Sequence, residues 1–185
     1  MRCPPRAQAS PDALLYVAGR LWASAWNGRT RSDGVVLELN PRSLRTASEI
    51  PATDPADRSS TSEESEPFGL AAGARSVWAA VAGDLGEVIR IDQRSGRETA
   101  RIPVGTSYPF AVAFADGNLW ALDYFDNTLT RIDPRTNRVT GRLRVGPPRN
   151  SDNIAPNVPA GLTASGHLLW VTDEDSATLT RVALR

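Results

Sequence analysis

Four times the chain writes Pro-x-(Ala/Gly)-(Leu/Val), and each time a tryptophan preceded by Leu or Val follows eleven residues after the proline. The units open at Pro11, Pro67, Pro109 and Pro159, and their tryptophans are Trp22, Trp78, Trp120 and Trp170. A period of about 40 residues marks a repeat architecture, in which a unit cannot bury its apolar face alone and must stack on its neighbours. The repeat therefore constrains the scaffold closely and the ligand hardly at all.

The third unit reads as four strands. Pro109 to Ala115 is apolar and small, and Asp116-Gly117-Asn118 then supplies turn chemistry, with the glycine free to take positive φ. Leu119 to Leu122 makes the second strand, and Thr128 to Ile132 alternates with period two as the third. Asp133-Pro134 opens a type I turn, where the carboxylate caps and the ring presets φ, and Val139 to Val145 is the fourth strand. The turn recurs at Asn40-Pro41 and Asp92-Gln93. Proline is tolerated as the first residue of a strand, hence its place at each boundary. Labelled A to D, the strands form an antiparallel meander, and such sheets arranged radially make a β-propeller.

The expected fold is all-β, a β-propeller of four four-stranded antiparallel blades at 11–51, 67–105, 109–146 and 159–185, after a tail at 1–10. Loops are inserted at 52–66 and 147–158. The fourth unit reaches Arg185 where its outer strand is expected to begin, so a partial or half propeller is expected. An open blade edge invites pairing, and a homodimer through such edges is one expected partner.

Composition places this scaffold among ordinary globular chains: 185 residues, 41% hydrophobic and 23% charged. Its 21 basic residues, all arginine, balance 21 acidic ones, so no net field draws it to nucleic acid or an anionic membrane, and neither partner is expected. A lysine-free, alanine-rich chain reads first as genomic base composition. Cys3 is the sole cysteine, which excludes an internal disulfide; no apolar h-region precedes it, and no run approaches the roughly 20 apolar residues of a membrane span. The compartment is left open.

Pro109-Phe110-Ala111-Val112, Leu119-Trp120-Ala121, Thr130-Arg131-Ile132-Asp133-Pro134-Arg135-Thr136 and Val145-Gly146 resemble the repeats of YVTN-type bacterial propellers, which are similar to NHL and virginiamycin B lyase-like propellers. The resemblance covers about residues 11 to 185. It implies a propeller of a family composed mostly of binding or scaffold proteins. In the lyase-like members it implies a histidine and a metal at the loop face.

A meander sends the B–C loops and D–A connections to one face and the A–B and C–D turns to the other. The C–D turns carry Arg42, Arg45, Arg94, Arg97, Arg135 and Arg138. The B–C loops carry Asp84, Asp123, Asp126, Asp173, Glu174 and Asp175. Both insertions fall on this acidic face, since Trp22 to Trp78 spans 56 residues and Trp120 to Trp170 spans 50, against 42 for Trp78 to Trp120. Long loops on a rigid scaffold are where function concentrates.

The candidate ligand-binding residues are therefore Tyr108, Asp123, Tyr124, Phe125, Asp126, Asn153, Asp173 and Asp175, with Asn150, Asp152 and Asn157 nearby. Clustered carboxylates could also hold Ca²⁺ or Mg²⁺, which need several convergent oxygens, although no dedicated ion-binding loop is written here and the expectation is no cofactor. The repeated tryptophans belong between sheets; Trp26 stands outside the repeat. The only histidine, His167, aligns with Asn118 and Ser76 in the A–B turn, away from the acidic face. The expected function is a non-catalytic scaffold presenting loops to a protein, peptide or small ligand. The alternative is a metal-dependent lyase or hydrolase of the virginiamycin B lyase-like type, using Asp123, Asp126, Asp173 and Asp175.

Overall fold

In a computed structural model, which describes residues 10–26, 34–53, 65–83, 86–106, 108–146, 159–173 and 177–184, those residues form fifteen strands in four separate antiparallel sheets. Sheet one holds β1 (Ser10–Val17), β2 (Arg20–Trp26), β3 (Gly34–Leu39) and β4 (Thr46–Pro51). Sheet two holds β5 (Glu66–Gly73), β6 (Ser76–Ala82), β7 (Glu87–Asp92) and β8 (Glu98–Pro103). Sheet three holds β9 (Pro109–Ala115), β10 (Asn118–Asp123), β11 (Thr128–Asp133) and β12 (Arg138–Arg144). Sheet four has three strands, β13 (Pro159–Ser165), β14 (Leu168–Asp173) and β15 (Thr178–Ala183). Strand order follows chain order in each, so every sheet is a meander, and no helix occurs among the described residues.

Turn chemistry accounts for the register. In the first three blades both central residues of the A–B turn have positive φ, Ala18 and Gly19, Ala74 and Arg75, Asp116 and Gly117, which is the type I′ geometry that matches strand twist. The C–D turns close on an Asx cap. Asn40 Oδ1 accepts the N–H groups of Arg42 and Ser43, Asp92 Oδ1 those of Arg94 and Ser95, and Asp133 Oδ1 that of Arg135. Each A strand shifts register just after its motif proline, so the following residue bulges from the ladder.

The core lies between blades. Trp22 and Trp78 are fully buried and Trp120 is 8% exposed, each within an apolar cluster shared with the next sheet. β1 and β2 pack on β5, β5 and β6 on β9, and β9 on β13, so the first strands line the axis. Their approach explains the small third residue of the motif: a Cβ on Gly69 would stand 2.8 Å from Ala111 Cα and 2.9 Å from Phe110 O. Trp170, at the same register in sheet four, is only half-buried.

Arginines tie neighbouring blades at both ends. Arg101 of β8 donates to the Pro51 and Ala52 carbonyls of blade one at 2.7 and 2.6 Å, and Arg142, at the matching place on β12, donates to Val104 O of blade two. Burial acts to lower the Arg101 pKa, but its bonds to Glu98 and Glu87 outweigh burial and hold it above the ordinary value. On the opposite face Arg20 donates to Arg94 O, and Arg90 donates to Pro134 O and Asn137 Oδ1.

Candidate functional site

Five aromatic rings from three segments converge on the face carrying the B–C loops, at the junction of blades two and three. Tyr108, just ahead of β9, lies 5.4 Å from Phe68, 5.6 Å from Tyr124 and 5.0 Å from Phe125 between ring centroids. Tyr124 meets Phe110 edge-on at 5.6 Å and Phe125 at 5.2 Å. All five residues are half-buried. Tilted and edge-to-face pairs of this kind contribute about 0.5–1.5 kcal/mol each beyond area burial.

The backbone explains the convergence. Phe68 and Phe110 occupy the second position of the Pro-x-(Ala/Gly)-(Leu/Val) motif, within the bulge that follows each proline. A bulge breaks alternation and re-aims the side chain it carries. Tyr124 and Phe125 sit in the tight β10–β11 turn, which Asp123 builds: its Oδ1 accepts the N–H groups of Phe125 at 2.8 Å and Asp126 at 2.7 Å. Its Oδ2 accepts the N–H of Tyr108 at 3.0 Å, and the Tyr124 N–H donates to Tyr108 O at 2.9 Å. One carboxylate, 1% exposed, thus binds the two aromatic segments into one unit.

Of the residues expected at a site, Tyr108, Asp123, Tyr124, Phe125 and Asp126 come together. Asp123 is a buried cap whose two oxygens are both engaged, while Asp126 is exposed at the rim. Asp173 stands opposite Pro159 as Asp123 stands opposite Pro109, one blade further on. Asn153 and Asp175 lie outside the described residues, as do Asp84, Asn150, Asp152, Asn157, Glu174 and the Trp26 side chain. Phe68, Phe110 and Glu66 were not anticipated. Glu66, the residue before Pro67, accepts the Tyr108 hydroxyl at 3.3 Å. The signal was in the motif: phenylalanine fills its second position in two adjacent units only.

Among the described residues no group of three or more His, Cys, Asp or Glu side chains converges as a hard cation requires. His167 lies in the A–B turn of blade four, on the other face, with Nδ1 2.9 Å from Asp116 Oδ1.

Comparisons with known proteins define the class through fold alone. No family model and no curated protein sequence matches the chain. Solved structures do. The Dos1 propeller superposes with TM-score 0.69 at 11% identity, over 99% of this chain and 47% of its own. BamB from Moraxella catarrhalis gives 0.62 at 12%, over 94% and 43%. The computationally designed Ika4 protein gives 0.64 at 14%, over 98% and 95%. The chain is a β-propeller in fold, and it spans less than half the length of Dos1 and BamB.

Proposed function

We propose that this chain is a non-catalytic propeller module whose binding surface is the aromatic patch of Phe68, Tyr108, Phe110, Tyr124 and Phe125, and that it takes a peptide or protein segment offering apolar and basic side chains. The observation that carries this reading is the convergence of five half-buried aromatic residues beside the carboxylates of Glu66 and Asp126. Rigid aromatic side chains give large contact area at low entropic cost, and they dominate binding hot spots. Ring faces and carboxylates together favour cations. The patch straddles two blades, so its spacing is set by the inter-blade core rather than by a free loop.

A metal-dependent lyase or hydrolase reading has no comparable support. It draws on Asp123, whose oxygens serve three backbone N–H groups, on Asp126 and Asp173, which lie in different blades, and on Asp175, outside the described residues.

Selection of a random displayed peptide library against the protein tests the proposal. Binders should be enriched in aliphatic and arginine or lysine positions and should lose at least tenfold in affinity on Tyr124→Ala/Phe125→Ala. Binders that hold both proteins equally would overturn the site.

A further inference from the structure

Each junction between blades follows one pattern. The leading blade presents its tryptophan and a third-strand aliphatic, Val36, Val88 or Leu129, all fully buried. The following blade answers with its first strand, whose outward residues lie over the leading blade's first two strands. At the second junction Phe114 fills the space over Gly73, where a Cβ would stand 2.0 Å from the ring.

The two ends of the arc hold the two halves of one more such junction. On sheet four Leu179 pairs with Thr172 as Leu129 pairs with Leu122, yet it is 61% exposed, and Trp170 beside it is only half-buried. On sheet one Leu14 and Tyr16 occupy the registers of Val112 and Phe114, and both are 66% exposed. Behind Leu14 and Tyr16 the same sheet face is apolar and buried through Ala23, Ala25, Val35 and Leu37.

We propose that a second copy of this chain completes both ends, blade four of each packing on blade one of the other about a two-fold axis to close a ring of eight blades. The surfaces are unlike each other, so contact is head-to-tail, and such contact gives a ring when the rotation closes and a filament when it does not. Closure is favoured by curvature: the arc superposes on the Dos1 propeller over 99% of its residues with TM-score 0.69. The ring is independent of the aromatic patch, which lies at an internal junction.

Size-exclusion chromatography with light scattering tests this on the chain as it stands. The expected mass is twice that of one chain. Leu179→Arg and Tyr16→Glu, both at exposed positions, should each halve it while leaving the circular dichroism spectrum unchanged. Mixing the two monomeric variants should restore the doubled mass, because the mixed pair regains one native junction. A single-chain mass for the unmodified protein, a doubled mass that survives both variants, or a mass that grows without limit with concentration would overturn the closed ring.

Discussion

The carboxylate of Asp123 and the backbone N–H of Tyr108, fifteen residues apart in sequence, are joined at 3.0 Å beneath the aromatic patch. That bond, with the one from the Tyr124 N–H to Tyr108 O, ties the β10–β11 turn to the segment entering β9 and so joins the rings they carry. The buried acid thus lies beneath the proposed binding surface as its support.

Asp123→Ala is expected to leave three backbone donors without their acceptor, at a cost of about 1–3 kcal/mol. For a chain of this size that lowers Tm by roughly 2–4 °C per kcal/mol. Peptide affinity should fall as steeply as in Tyr124→Ala/Phe125→Ala. Asp123→Asn should lie between, since its Oδ1 can serve the turn while its amide opposes the Tyr108 N–H. Thermal melts alongside binding titrations separate the two effects, and unchanged affinity in Asp123→Ala would refute the positioning role.

The tryptophans of the repeat are not energetically equal. Trp78 Nε1 donates to Gly73 O at 3.0 Å, and the Arg90 guanidinium lies 4.8 Å over its ring. Among the described residues, the indole N–H groups of Trp22 and Trp120 find no acceptor. Trp78→Phe should therefore cost about 1 kcal/mol more than Trp22→Phe, because only the former loses a made hydrogen bond and weakens a cation–π contact. Urea midpoints of the two variants check the order.

Leu44 holds a left-handed φ of 55° at the place where the other C–D turns use Gly96 and Asn137, and its side chain is half exposed to solvent. An L-residue bears roughly 1–2 kcal/mol of strain there. Leu44→Gly should raise stability by about 0.5–1 kcal/mol, offset in part by the greater freedom of glycine in the unfolded chain. Differential scanning calorimetry would register a rise of a few degrees at most.

Asp92 accepts the Ser95 backbone N–H and hydroxyl, and these bonds hold its pKa below the ordinary 3.8. A carboxylate depressed in the folded state adds stability above its unfolded pKa, and that contribution is lost as pH falls through the lower folded value. Asp92→Asn, which keeps the acceptor as Asn40 does in blade one but not the charge, should therefore lower Tm at pH 7 and converge with the unmodified protein as pH falls below about 4, where the carboxylate's contribution is lost.

Turn chemistry and the tryptophan packing between blades were legible in the sequence, and the aromatic and arginine contacts between blades were not. The turns at Asp116-Gly117, Asn40, Asp92 and Asp133, and the burial of Trp22, Trp78 and Trp120, follow from short spacings that any four-stranded meander obeys. Phe68 and Phe110 were hidden because a bulge, not alternation, sets their direction. Asp123 reads as a surface acid among others until the turn around it closes. The arginines read as base composition, yet Arg90, Arg101 and Arg142 clamp neighbouring blades, a role fixed by the distance between sheets rather than by spacing along one strand.

The central claim is that binding occurs on the aromatic face and not on the arginine-bearing turns opposite. The direct measurement places a photoreactive benzophenone amino acid at position 125 in one protein and at position 135, whose native side chain is 91% exposed on a C–D turn, in another. Each is irradiated with a library-selected peptide, and adducts are read by mass spectrometry. Adducts from position 125 with none from 135 are predicted. Adducts from 135 with none from 125 would contradict the account.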